Sequence, residues 1–385
     1  MKIISKKQFK NISIEHLLIL VLLLFFGTEA YNKLSWFSSW EKNDLQKILK
    51  AVVFISLGVG LLFRNYKVLL SLLALCLIFI IGQWQLAEGL SEENLIYLSK
   101  FLFPILLFSF FNEVRLRSSK SLFNVYEFLV LFNSLLIILG FIFDIIYFKT
   151  YSGKRFGYSG LMITSATATY FYCIAIFYFF IRYKTIQNWK FLGCVLAAIL
   201  VGTKSIYLFL ALFGAFYIIR YVRSKKLKFI FLFLVSVLAV LLGIYLLYYN
   251  PVFSEIRSSQ GIISAILSYR DQLFIERTLP FIEQNWSFTN YLFGGASDFE
   301  TRPQLEFFDL FYFWGIIGSV IYLLLYYHSF KPLKLPKQEE WFFFISLIII
   351  MFLAGNFFYN ASIPIYLLIF KQYPSYPNED RYEDF

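Results

Sequence analysis

Twelve apolar runs divide this chain, near residues 12–26, 45–63, 68–86, 95–111, 122–148, 160–181, 188–202, 205–222, 227–249, 307–328, 341–355 and 357–370. Most approach the roughly 17–25 residues needed to cross a hydrocarbon core. Only 15% of the 385 residues are charged, against about 25% in an ordinary soluble chain. A water-soluble core cannot absorb that much apolar surface, whereas a bilayer can. The reading is an all-α polytopic integral membrane protein of about 11–12 transmembrane helices. Residues 1–373 form its single membrane domain and 374–385 a polar cytoplasmic tail. The first run is read as an uncleaved helix, although Thr28-Glu29-Ala30 weakly resembles a cleavage site. The last two runs, broken around Asn356 and Asn360, form either a tight hairpin or one bent element.

The net charge of +11 does not point to a nucleic-acid partner, because the basic residues fall in short clusters between apolar runs. Such clusters mark the cytoplasmic ends of spans. They include Arg64 and Lys67, Arg115 to Lys120, Arg182 to Lys190, Arg220 to Lys228, and Lys331 to Lys337. This alternation puts the N-terminus in the cytoplasm and the intervals 29–44, 83–94 and about 250–305 outside. Cys76, Cys173 and Cys194 sit inside apolar runs, so no disulfide framework is expected. Two histidines and no cysteine cluster argue against a metal or haem cofactor. His16 and His328, near cytoplasmic helix ends, are read as structural. No internal repeat is visible, which disfavours transporters built from duplicated halves.

Basic residues outside run against the topology bias, and each needs a reason. The segment Lys149–Gly160 reads KTYSGKRFGYSG and carries Arg155 among glycines; Lys204 stands in a short turn, Val-Gly-Thr-Lys-Ser. The large loop holds Arg257, Arg270, Arg277 and Arg302. Taken as one helix, Ile262 to Thr278 puts Ile262, Ile263, Ile266, Leu267, Leu273 and Phe274 on one face. Ser264, Ser268, Asp271, Gln272 and Glu276 lie opposite. Arg270 and Arg277 project from the middle of the apolar face, about 10 Å apart. Either both reach lipid headgroups, or they face a polar cavity and grip a phosphate-bearing ligand. Glu306 and Asp309, three apart at the start of a helix, share a face beside Arg302. They are helix caps or paired carboxylates of a site, with Asp271 as a further candidate.

RFGYSG (Arg155–Gly160), GTKS (Gly202–Ser205), SYRD (Ser268–Asp271), NYLFGGASDFE (Asn290–Glu300) and LEFFDLFYFWGIIG (Leu305–Gly318) follow one another over about 150–320. In this order, among many apolar helices, they resemble the Wzy polymerases, which group with the O-antigen ligases. The resemblance implies a GT-C-like helical bundle in the bacterial cytoplasmic membrane, with its active site facing the periplasm or exterior. It implies transfer of a growing undecaprenyl-diphosphate-linked glycan onto a new lipid-linked repeat unit, without metal or other cofactor. The partners would be lipid-linked oligosaccharides, membrane lipids and a chain-length regulator. Arg155, Lys204, Arg270 and Arg277 would bind diphosphate, and Glu306, Asp309 or Asp271 would orient or deprotonate the acceptor hydroxyl. Residues 250–305 hold no histidine, unlike a typical ligase loop, which favours polymerase. The alternatives are a ligase and a flippase or transporter of lipid-linked oligosaccharides.

Overall fold

The computed structural model describes residues 14–38, 45–86, 89–114, 120–151, 153, 155–296, 298–331 and 333–375. The expectations placed on the N-terminal lysines, Arg115, Arg117 and the tail beyond residue 375 lie outside the described residues.

Every apolar run becomes a helix. The first nine are α1 (Ile14–Ser35), α2 (Leu45–Leu62), α3 (Tyr66–Trp84), α4 (Glu92–Glu113), α5 (Lys120–Ile142), α6 (Ser165–Tyr183), α7 (Trp189–Val201), α8 (Lys204–Tyr221) and α9 (Lys225–Ile244), the last continuing as a π-turn, Tyr245–Tyr249. The large loop folds as α10 (Pro251–Leu267), α11 (Arg270–Leu273), a π-turn (Phe274–Thr278), α12 (Leu279–Asn285) and α13 (Phe288–Phe293). The chain then returns as α14 (Glu306–Phe330), α15 (Lys337–Ala354) and α16 (Ile363–Gln372). Among the described residues no strand forms; Lys149 and Tyr158 make an isolated bridge.

This is a multi-pass membrane protein by helix length and composition, and eight helices meet that standard among the described residues, fewer than the expected eleven or twelve. Three of the four apolar-run helices outside that count, α7, α15 and α16, have a visible reason. The 13-residue α7 and 10-residue α16 rise only about 20 and 15 Å, against a core of about 30 Å. The 18-residue α15 opens with Lys337, Glu339 and Glu340.

Two helices make the centre. α6 is buried from Ala166 through Phe180, and α16 from Ile363 through Lys371. No residue of α9 is buried, so it offers its apolar surface to lipid. Aromatic rings fill the interior: Phe101 meets Trp314 and Tyr322 edge-on, and Phe343 lies 4.6 Å from Phe370. With no solvent to drive them together, helices in a bilayer rely on such close packing. The large Phe and Tyr content serves that purpose.

The final pair is a hairpin whose connection is unwound. Residues 356–362 run through the bundle outside any helix, which a membrane protein tolerates only where side chains satisfy the backbone. Glu306 does so, accepting from the amides of Phe357 at 2.9 Å and Phe358 at 2.7 Å. Tyr170 donates to the Gly355 carbonyl at 3.0 Å, and Asn360 to the Thr167 hydroxyl at 2.8 Å.

The single helix expected over 262–278 is broken. Ser268 and Tyr269 both take left-handed conformations, with φ of 57° and 66°. The apolar period runs across the break, but two distant cations overrule it. Lys204 takes the last carbonyls of α10, and Arg270 is drawn onto the end of α15. Among the acids inside apolar runs, Glu127 is buried and ion-paired to Arg182 (2.9 Å) and Lys190 (2.8 Å). Asp144 stands exposed beyond α5, paired with Lys149.

Candidate functional site

Glycine contacts bring the short motifs together. Gly202 ends α7 with φ of +74°, and a Cβ there would stand 2.6 Å from the Phe156 carbonyl oxygen. A Cβ on Gly157 (φ +151°) would meet the Val201 carbonyl oxygen at 2.5 Å. Only glycine permits both this backbone geometry and this approach. The Tyr158 amide donates to the Leu200 carbonyl at 2.8 Å across the same contact. The Arg155 segment is therefore laid against the turn that carries Lys204.

Lys204 begins α8 behind its N-cap Thr203, whose hydroxyl lies 2.8 Å from that of Thr169 on α6. Its ammonium donates to the carbonyls of Ala265 (2.6 Å) and Ile266 (2.7 Å). Arg270 donates from Nη2 to the Ala354 carbonyl at 2.7 Å and from Nη1 to that of Leu353. Each cation thus sits at a helix C-terminus, where unpaired carbonyls favour positive charge. Arg155 stacks on Tyr151 at 3.9 Å, and Phe253 lies under both Arg155 (4.9 Å) and Lys204 (4.1 Å).

Arg155, Lys204 and Arg270 line one hollow of about 210 Å³, together with Tyr151, Ser165, Thr169, Thr203, Ser205, Ser268 and Gln304. No carboxylate is among its described lining residues. Burial, and beside it the positive Arg270, hold the Arg155 guanidinium below its usual range. Three half-buried cations facing a shared space repel one another unless an anion enters. Beside this hollow runs an apolar groove of about 430 Å³ between α8 and α9. Tyr207, Ala211, Val235, Ala239 and Leu246 line it, and Lys204 and Leu353 belong to both cavities. A charged head and an apolar tail on one ligand match that pair of spaces.

The remaining expected site residues do not join them. Arg277 is exposed on the π-turn and lies outside the hollow. The break at Ser268 and Tyr269 removes the common helical face that linked it to Arg270. Glu306 is 0% exposed and occupied by two backbone amides. Asp309 is 1% exposed, and its nearer oxygen lies 3.9 Å from Arg302 Nε. Neither lines the hollow. Arg302 itself donates to the Tyr359 hydroxyl (2.9 Å) and the Phe299 carbonyl (2.9 Å), tying the loop to the unwound segment. Asp271 accepts from the Ser264 hydroxyl and also stays outside.

Sequence reasoning missed the hydroxyls of Ser165, Thr169 and Thr203, the ring of Phe253 and the groove. A signal existed for the first two: Ser165 and Thr169 are four apart on an otherwise apolar helix, so they share one face. No protein-family model, characterised protein or solved structure matches this chain.

Proposed function

We propose that this chain is a glycosyltransferase of the bacterial cytoplasmic membrane, moving a growing glycan from undecaprenyl diphosphate onto a fresh lipid-linked repeat unit at the exterior face. One observation carries this reading: the hollow lined by Arg155, Lys204 and Arg270, with no carboxylate among its described lining residues, adjoins an apolar groove at Lys204 and Leu353. A diphosphate suits the first space and a prenyl chain the second. In the reaction an acceptor hydroxyl attacks the anomeric carbon, the carbon–oxygen bond to diphosphate breaks, and the hydroxyl proton is released. Diphosphate departs as an anion, so cations that neutralise its developing charge supply the main rate enhancement. Glu306 and Asp309 hold the outer half of the bundle together and take no proton in this scheme.

The test is reconstitution. Purified protein in liposomes with lipid-linked repeat units should yield a ladder of longer lipid-linked glycans without nucleotide sugar. Absence of any ladder with authentic substrate overturns the reading. The lack of a lining carboxylate favours a second possibility, a carrier for the same lipids; it predicts movement of labelled lipid across the liposome wall and no new glycosidic bond.

A further inference from the structure

A third cavity, of about 320 Å³, opens at the opposite end of the bundle between α3, α4 and α14; its walls are largely apolar, with charged and polar side chains among them. His328 lines it, near the end of α14 remote from Glu306 and beyond the kink at Gly315. The proposed transfer reaction uses none of its residues.

Its charges do not cancel. Lys67 and Glu113 both line it, and Glu113 is engaged by the Asn65 side-chain amide at 2.8 Å. Directly behind the wall lies Lys371, only 5% exposed. Its ammonium is held by neutral groups, the Asn112 side-chain oxygen at 2.6 Å and the Ser329 carbonyl at 2.8 Å. Asn112 and Ser329 are themselves lining residues, so the buried charge faces the cavity through one layer of polar atoms. A buried ammonium without a carboxylate is costly in a bilayer. Among the described residues of the cavity and its wall, two lysines stand against one Glu113, a surplus of one positive charge, with the His328 imidazole at the same mouth.

We infer that this cavity binds the phosphate of an anionic ligand, in the first instance the phosphodiester headgroup of a membrane lipid. A phosphodiester carries a single negative charge, which matches the surplus. Lys67 and His328 reach the anion from the exposed rim, and Ser109 lines the wall. The apolar flanks of α3 and α14 leave room for the acyl chains in the surrounding bilayer.

The test is native mass spectrometry of the full chain in detergent, titrated with phosphatidylglycerol, phosphatidylcholine or inorganic phosphate. The wild type should retain one phosphatidylglycerol about ten-fold more tightly than a Lys67→Gln/His328→Gln double variant, the loss expected when charge-assisted hydrogen bonds go. Ser109→Leu, which fills the cavity and touches no charge, should abolish retention too. Competition by inorganic phosphate would keep the site and assign it to a free anion; displacement only by lipid assigns it to the headgroup. Equal retention by wild type and both variants, or equal retention of phosphatidylcholine and phosphatidylglycerol by the wild type, overturns the inference.

Discussion

Gly202 packs so tightly on Gly157 that a Cβ on the former would stand 2.8 Å from the latter's Cα. This contact sets Arg155 beside Lys204. Gly202→Ala should therefore damage the hollow from a distance. The positive φ alone costs an alanine about 1–2 kcal/mol, and the backbone clash adds to that. Thermal unfolding in detergent should show the loss of stability, and diphosphate-lipid binding should weaken in the same variant. Unchanged stability would mean that the two turns do not touch.

Arg155→Gln and Lys204→Gln each remove a cation without changing bulk greatly. Each should weaken binding of a prenyl diphosphate by about ten- to a hundred-fold, the range for a charge-assisted hydrogen bond in a partly buried site. Arg277→Gln should leave binding unaltered, since Arg277 is exposed and outside the hollow. A fluorescent prenyl diphosphate titrated in nanodiscs would report all three. If Arg277→Gln weakens binding as much as the others, the hollow is misassigned.

The groove separates head from tail. Ala239→Trp should block it and abolish binding of long prenyl diphosphates, while inorganic diphosphate still competes for Arg155 and Lys204. Equal loss for long and short ligands would show that the two cavities are not read by one molecule.

Glu306 discriminates architecture from chemistry. Glu306→Ala leaves two buried amides without an acceptor, at about 2–4 kcal/mol together. Lower melting temperature should accompany any lost activity. A stable, inactive Glu306→Ala protein would return Glu306 to a catalytic role.

Acid should loosen the turn after α5. Hydrogen bonds from Lys149 and then Tyr158 hold the Asp144 carboxyl below its ordinary value of 3.8. A depressed carboxylate contributes stability that is full above 3.8 and is lost as pH falls through its folded value. Protection of the amides over 145–150, corrected for the intrinsic pH dependence of exchange, should fall in the wild type as pH drops below about 4, and be insensitive to pH there in Asp144→Asn. Identical pH profiles would exclude the linkage.

The helical plan was legible because apolar runs and basic clusters are local signals; each of the twelve runs formed a helix. The gathering of Arg155, Lys204 and Arg270 around one hollow was foreshadowed too, because cations at ends expected to lie outside oppose the topology bias. The exclusion of Arg277 was not, since its placement depended on an uninterrupted helix. The interruption comes from Lys204 and Arg270 binding carbonyls at the ends of α10 and α15, contacts that join residues more than 60 positions apart. Glu306 was ambiguous for a similar reason. Its partners are amides of Phe357 and Phe358, whose helix was expected to continue or to turn tightly, not to unwind.

The unwound stretch 356–362 also bears on biogenesis. α16, ten residues long, reaches about 15 Å, half the thickness of the hydrocarbon layer, and its leading coil depends on acceptors and donors from α6 and α14. A C-terminal pair of this kind has no means of integrating as an autonomous unit. It must be received into a groove that the earlier helices have already prepared, so α16 is seated only after α6 and α14 are in place.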